Sequence, residues 1–239
     1  MRRNPKVFSF LDHLEELRIR LIRSLIVFVL ACFAVSSWVN GLLQVLIKPV
    51  GRVVFTAPSE AFIAHLTVNL FLALLVSLPY ILFEVWAFIS AALLDEERES
   101  VAIFAPLSLI FFLSGVAFCY FCVIPMMFGF FMSFSSESMV PMITVKQYIS
   151  FVASFSLSFG IVFELPLAFV FLTKIGIATP NFLIQKRRHA IVAIFVVSAI
   201  LTPPDYVSQL LMALPMMALY EIGILLSKMV YQPQLQPKV

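Results

Sequence analysis

Long apolar stretches, separated by short segments rich in charge or proline, make up almost the whole chain. Their lengths suit helices that cross a bilayer, for which about 20 apolar residues suffice. We predict six spans, at residues 21–39, 66–92, 101–133, 148–175, 190–201 and 206–228. Because these spans fill the chain, we expect a single polytopic membrane domain over residues 1–239 and an all-α integral membrane fold.

Two of the spans depart from the usual length. The third, residues 101–133, is too long for one perpendicular crossing and is expected to tilt or to project from the bilayer. The fifth, residues 190–201, would rise only about 18 Å as a helix, against roughly 30 Å of hydrocarbon. Either protein packs around the fifth span or the membrane is thin there.

Prolines recur within or beside the spans, and each removes one backbone hydrogen bond and tends to kink its helix. They are Pro79, Pro106, Pro125, Pro166 and Pro215. Kinked and tilted helices favour a curved wall over a tight, straight bundle.

Composition supports a membrane protein and argues against several kinds of chemistry. The chain is 62% hydrophobic and 12% charged, about half the charged fraction of a soluble domain. The three cysteines lie in apolar stretches, which indicates small apolar filler rather than a disulfide framework. Metalloprotease, serine-hydrolase and phosphate-loop motifs are missing, and the basic residues form no stripe for nucleic acid. We therefore expect no enzymatic activity, no cofactor, no metal and no nucleic-acid partner.

The distribution of basic residues predicts the orientation. Of the sixteen lysines and arginines, only Lys48, Arg52 and Lys146 fall in the loops after the first and third spans. The others lie before or within the start of the first span, after the second and fourth spans, and in the tail. Because cytoplasmic loops carry the excess of Lys and Arg, both termini are predicted to be cytoplasmic.

Acidic residues stand out on this basic side. Glu16 and Arg20 share one helix face at i, i+4 spacing and form a favourable pair. Residues 95–99, Asp-Glu-Glu-Arg-Glu, place four carboxylates around Arg98. A surface helix with self-paired charges and a solvated loop would account for both. The alternative is a site for a cationic ligand, because carboxylates hold guanidinium groups in a two-pronged geometry.

A further acid, Glu164, lies within residues 148–173, which are otherwise almost wholly apolar. An ionised group at mid-membrane costs from about 2.5 to above 10 kcal/mol, so such acids usually face protein or water and usually serve a function. Gly160 permits close approach of another helix, and Pro166 frees a backbone carbonyl near the acid. A protonated acid bonded to a carbonyl would be the purely structural alternative.

Three other acids have simpler interpretations. Asp205 follows two prolines and can cap the N-terminus of the sixth helix, although a functional role stays open. Glu84 and Glu221 are expected to reach the membrane interface from the cytoplasmic ends of their spans.

Five short motifs together resemble the TatC family, the multispanning receptor subunit of the twin-arginine protein translocase. They are His-Leu-Glu-Glu-Leu-Arg at 13–18, Val-Trp-Ala-Phe at 85–88, Glu-Glu-Arg at 96–98, Phe-Gly-Ile-Val-Phe-Glu-Leu-Pro at 159–166 and Leu-Thr-Pro-Pro-Asp at 201–205. The resemblance implies six helices that form a concave, glove-like wall with short fifth and sixth spans. It also implies a receptor that binds paired-arginine signal peptides of folded precursors. With TatB and TatA, such a receptor exports them across the bacterial cytoplasmic membrane, using the proton-motive force.

The same resemblance assigns roles by motif position. The arginine-recognition patch falls on Glu16 and Glu97, with Arg18 and Phe88 as neighbours in the same cytoplasmic region. It further implies that several copies of the chain take part in one receptor complex.

On the other side of the membrane, the resemblance implies that the first periplasmic loop is needed intact at Pro49. It makes Glu164 an intramembrane acid that faces the concave wall, and Asp205 a periplasmic-side acid. The competing interpretation is a proton-coupled small-solute transporter with Glu164 as the proton relay. That interpretation predicts a chain of further polar groups across the bilayer.

Overall fold

The computed structural model describes residues 10–91, 95–136, 142–202 and 205–231, with the side chains of 10–12 and 95–102 left out. Helices make up nearly all of this part of the chain, which confirms the predicted all-α class. Ten α-helices run through it: α1 Phe10–Ala34, α2 Val39–Ile47, α3 Pro58–Ala91, α4 Asp95–Phe118, α5 Ile124–Met132, α6 Val145–Phe163, α7 Leu165–Lys174, α8 Pro180–Gln185, α9 Arg187–Leu201 and α10 Tyr206–Val230.

Four helical runs are long and apolar enough to cross a membrane. They are Pro58–Ala91, Ile103–Met132, Val145–Lys174 and Tyr206–Val230. The count becomes five if α1 and α2 form one span. His13–Ala34 and Ser36–Ile47 are together long and apolar enough to cross, but they are bent by 47° at a short break. The α9 helix, with 15 residues, lies where the short fifth span is predicted. The count of six spans therefore remains a prediction.

The first and last predicted spans differ in detail from the expectation. The first, residues 21–39, contains the bend, because a short 3-10 helix at Ser36–Trp38 separates α1 from α2. The last is a 25-residue helix, α10, rather than a short one. Its uncharged part before Glu221 rises only about 22 Å, and the helix continues beyond that point through Lys228 to Val230.

The short helix α9 is not covered by the rest of the described chain. Only Ile194 and Ser198 are buried, whereas Val192 and Ile200 are largely exposed. Packing against the rest of the described chain is therefore not the reason why α9 is short. The remaining explanations are a thin hydrocarbon layer around α9 or contact with a further protein.

Two of the five prolines mark a change in helix geometry, as expected of kinked helices. Pro166 follows the break between α6 and α7, and Pro125 follows a π-helical turn at Cys119–Val123. Pro79, Pro106 and Pro215 lie inside the continuous helices α3, α4 and α10.

The chain divides into two compact units. The first comprises the described part of Met1–Ser37 together with Asn69–Leu109. Its helices meet through small residues, because Ala31 of α1 and Val35 just after that helix pack against Ala73 of α3. Further along α3, the indole nitrogen of Trp86 donates to the Ser108 hydroxyl at 2.7 Å.

The second unit comprises Trp38–Val68 and Ile110–Val239. Its large apolar core is built around α6, with Tyr148, Phe155 and Phe159 almost fully buried. Buried hydroxyls bond to the backbone, as when Tyr148 donates to the Leu46 carbonyl at 2.6 Å. An unpaired polar group in such surroundings would cost several kcal/mol, so these bonds allow tyrosine in the core.

Three glycines let helices approach closely in the second unit, namely Gly115, Gly160 and Gly223. A Cβ at Gly160 would lie 2.7 Å from the Phe112 ring, which confirms the predicted close approach at this position. A Cβ at Gly115 would lie 2.6 Å from the backbone oxygen of Phe159.

Candidate functional site

In the first unit, two helices each supply a row of polar and aromatic side chains. On α1, His13, Glu16 and Arg20 follow one another at spacings of three and four residues and share a face. On α3, Tyr80, Glu84 and Phe88 are four residues apart. The two rows meet, and we call the six residues the Arg20 cluster.

Arg20 lies at the centre of the cluster between two carboxylates. Its Nε and Nη2 atoms both donate to Oε1 of Glu16, at 3.1 Å and 2.6 Å. Its Nη1 atom donates to Oε2 of Glu84 at 2.8 Å. The predicted Glu16–Arg20 pair is confirmed, and the second partner of Arg20 comes from a residue 64 positions further along the chain.

The two carboxylates differ in how far water can reach them. The Glu84 side chain is 6% exposed, and the Tyr80 hydroxyl donates to its Oε1 at 2.8 Å, so both of its oxygens are paired. The Glu16 side chain is 24% exposed. Its Oε2 accepts no hydrogen bond within the part of the chain that the structure describes, and His13 Nδ1 lies 3.9 Å away. Glu16 can therefore take a further donor from outside, whereas Glu84 cannot.

An aromatic pair borders the exposed side of this cluster. The His13 and Phe88 rings stack at 4.2 Å between centroids and 14° between planes. Phe88 and Glu16, which the resemblance assigns to one region, both contact His13 and so belong to the same cluster. Arg18 is exposed on a different face of α1, since two positions turn the helix by about 200°.

Glu97 lies in the first turn of α4, where the backbone is described and the side chain is not. Its predicted approach to Glu16 thus lies outside the described side chains and remains a prediction. The side chains of the other acidic residues in 95–99 also lie outside the described part of the structure.

Glu84 was expected to reach the membrane interface, and the structure places it beneath neighbouring side chains. The residue is 5% exposed and is held inside by Tyr80 and Arg20. Local sequence offers one signal that could have indicated this, the i, i+4 series Tyr80, Glu84 and Phe88. Glu221, by contrast, is half-exposed and pairs with Arg187 at 2.6 Å.

In the second unit, Glu164 is the single residue between α6 and α7, and its backbone dihedrals are φ −73° and ψ −16°. It is half-buried, and Pro166, two residues further on, is buried. A proton relay would need a series of hydrogen-bonded polar side chains leading away from Glu164. The serines that precede Glu164 on α6 do not show such a series. The Ser158 hydroxyl is used on its own helix, where it donates to the Ser154 carbonyl at 2.9 Å.

Asp205 is the N-cap of α10, and its Oδ1 accepts the backbone N–H of Ser208 at 2.7 Å. The predicted capping role is therefore confirmed. Asp205 also lines a largely apolar cavity of about 330 Å³, together with Gln147, Phe128 and Phe151.

Pro49 lies in the turn that follows α2 and is half-buried. The backbone N–H of Val50 closes this turn on the Ile47 carbonyl at 3.0 Å. Further along the same loop, Val54 forms an isolated parallel bridge with Thr144. These contacts describe an ordered loop around Pro49.

Comparison with known proteins identifies what this arrangement is similar to. The family model described as TatC, Sec-independent protein translocase protein, matches residues 12–215. The Sec-independent protein translocase protein TatC of Carboxydothermus hydrogenoformans is 36% identical over 230 residues, which are 94% of this chain and 95% of that protein. The protein of the same description from Escherichia coli K12 is 35% identical over 225 residues, 91% of this chain and 87% of that one.

A solved structure also matches the whole fold. The crystal structure of the twin arginine translocase receptor TatC superimposes with a TM-score of 0.83 at 33% identity. The match covers 91% of this chain and 99% of that one.

Proposed function

The chain belongs to the TatC family of Sec-independent protein translocase proteins, and we propose that within the translocase it binds signal peptides with paired arginines. It is a membrane protein of a transport family rather than a classical enzyme. One observation carries the proposal. Arg20 holds the carboxylate of Glu16 through one oxygen, the other oxygen accepts no hydrogen bond among the described residues, and the side chain is 24% exposed.

Chemistry supports a guanidinium as the ligand. A carboxylate oxygen that faces water on the basic side of the molecule attracts a cation, and arginine adds directional hydrogen bonds. The stacked His13 and Phe88 rings border this carboxylate, and the ring surface that the stack leaves open can pack against the aliphatic part or the planar head of an arginine. We assign Glu97 to the second arginine and Arg18 to the rim of the same patch.

The remaining assignments extend this proposal to the whole translocase. The receptor takes precursors that are already folded and exports them with TatB and TatA at the expense of the proton-motive force. It lies in the bacterial cytoplasmic membrane as one domain of six spans, with both termini in the cytoplasm and several copies in each complex. The uneven distribution of lysine and arginine supports this orientation.

The two acids of the second unit receive roles in assembly. Glu164, at the break between α6 and α7, offers a polar contact for a partner helix, worth about 1–2 kcal/mol in an apolar medium. Asp205 and Pro49 act on the periplasmic side, where they shape the start of α10 and the first loop.

Peptide binding to purified variants tests the recognition role. We expect Glu16→Gln and Glu97→Gln each to weaken binding of a paired-arginine signal peptide by about tenfold or more, since each removes a charge-assisted hydrogen bond. The double variant should bind more weakly than either. A paired-lysine peptide controls for charge alone, and Glu221→Gln removes a carboxylate from another arginine pair. Parent-like affinity of the double variant would refute the recognition role.

Export assays test the role of Glu164. We expect Glu164→Gln to retain more export than Glu164→Ala, because the amide keeps a hydrogen bond. Equal export by both would mean that the side chain is incidental. Solute-driven proton uptake by the reconstituted chain alone, lost in Glu164→Gln, would favour the transporter interpretation instead.

A further inference from the structure

Two carboxylates share one guanidinium at the centre of the Arg20 cluster. When ionised, Glu16, Arg20 and Glu84 together carry one net negative charge. Arg20 donates from Nη1 to Glu84, and it donates from both Nε and Nη2 to a single oxygen of Glu16. It does not span both oxygens of Glu16 in the two-pronged arrangement that arginine and carboxylate usually prefer.

We propose that Glu84 sets the affinity of Glu16 for an incoming guanidinium by holding Arg20 partly away from it. Arg20 is then an internal competitor for Glu16, and Glu84 is the positioning residue that restrains this competitor. This inference rests on the proposed function of Glu16 as a signal-peptide ligand.

Burial excludes a direct contact between Glu84 and the peptide. Its side chain is 6% exposed, and each of its oxygens already accepts a hydrogen bond, one from Tyr80 and one from Arg20. Any effect of Glu84 on binding must therefore pass through Arg20 or through its own charge.

Both routes act in the same direction. If Glu84 loses its charge, the three side chains become neutral in sum, and the attraction for a cation at Glu16 falls. Arg20 is also released from its strongest competing partner and can turn its fork across both oxygens of Glu16. The incoming arginine then has to displace a two-pronged internal pair.

Removal of the competitor should reverse the effect. In the double variant Glu84→Gln/Arg20→Gln, Glu16 again carries the one net negative charge and no longer has Arg20 as an internal partner. Removal of both members of a buried ion pair can also restore folding, so the unfolding free energy of each variant is measured beside its affinity. Affinity that falls and recovers without matching changes in unfolding free energy separates the inference from a structural role.

The test is binding of a synthetic paired-arginine signal peptide to the purified full-length chain in lipid nanodiscs, over a series of salt concentrations. We expect Glu84→Gln to weaken binding by about three- to tenfold and to flatten its salt dependence. The double variant should return to within about twofold of the parent. Glu221→Gln is the matched control, since it removes the charge of another arginine-paired carboxylate outside the cluster.

The outcomes distinguish the recognition role of Glu16 from the positioning role of Glu84. If Glu16→Gln binds as well as the parent, the proposed function fails. If Glu16→Gln weakens binding while Glu84→Gln does not, the recognition role stands and this inference is overturned. A weak Glu84→Gln variant that the second substitution does not rescue also overturns it. Should Glu84→Gln not fold alone, the double variant decides, because weak binding there contradicts the inference.

Discussion

The two compact units hold their polar side chains in opposite ways. In the first unit, a buried glutamate, a half-buried glutamate and an arginine form a connected charged network. In the second, the hydroxyls of Tyr148 and Tyr220 bond to backbone carbonyls inside a large apolar core. Charge is expensive in a membrane chain, so the charged network of the first unit agrees with the recognition role proposed for it, whereas the second unit relies on packing.

Energetics supports this division. A buried ion pair often contributes little to net stability compared with apolar side chains of similar size, although breaking one side of it is costly. The Arg20 cluster is thus poorly explained as a stabilising device. Close helix contacts at Gly115 and Gly160, by contrast, are direct consequences of tight packing.

The largest effect should come from breaking the charged network on one side. Arg20→Ala leaves Glu84 buried without its cation, and we expect a loss of about 2–4 kcal/mol in the free energy of unfolding. Arg187→Ala, which breaks the more exposed pair with Glu221, should cost less than about 1 kcal/mol. Denaturation of both variants in detergent measures the difference. Similar losses would mean that the two arginines are equivalent.

The next effect should come from overfilling the packed unit. Gly115→Ala would place a Cβ 2.6 Å from the Phe159 backbone oxygen, which cannot move without its helix. We expect a loss of about 1–3 kcal/mol. Gly129→Ala is the matched control, because nothing lies within 4 Å of its position in α5 and a helical alanine is favoured. Equal stability of the two variants would show that the packing is loose.

A smaller effect is expected where the second unit uses charge locally. Asp205→Ala removes the side-chain acceptor of the Ser208 N–H at the start of α10, which should cost about 1 kcal/mol of unfolding free energy. Asp205→Asn should cost much less, since asparagine also caps helices. Export measured alongside stability separates the roles: loss of export in Asp205→Asn at parent-like stability would contradict a purely capping role.

The smallest effect should follow a change in the exposed pair. Glu221→Gln is expected to change the unfolding free energy by about 0.5 kcal/mol or less, because half of each side chain lies in water and salt screens the pair. Melting curves at low and high salt provide the measurement. A salt-sensitive loss of several kcal/mol would place this pair in the same class as the Arg20 cluster.

Sequence periodicity predicted the contacts that are local along the chain. Glu16 and Arg20, four residues apart, form the expected pair, and Asp205 caps the helix that it precedes. Both depend on spacings within one helical turn, which a sequence displays directly. The close approach at Gly160 was also predicted, although the sequence did not indicate Phe112 as its neighbour.

Residue patterns did not predict contacts between distant segments, and the placing of Phe88 near Glu16 came only from the family resemblance. The partner of Glu84 is Arg20, 64 residues away, and without that contact Glu84 looked like an acid that reaches the interface. The 47° break in the first span was also missed, since residues 21–39 are continuously apolar enough to suggest one helix. Apolar composition defines where a span lies, but the pairing of charges depends on which helices become neighbours.

The π-helical turn at Cys119–Val123 has a consequence for length changes in this chain. A wider turn accommodates one residue more than an α-turn, so an insertion can be absorbed without a rotation of about 100° in everything that follows. Deletion of one residue within this turn should therefore restore regular α-helix and leave the faces of α4 and α5 aligned as before. The same deletion in the middle of α6 would turn half of its core-facing side chains towards lipid.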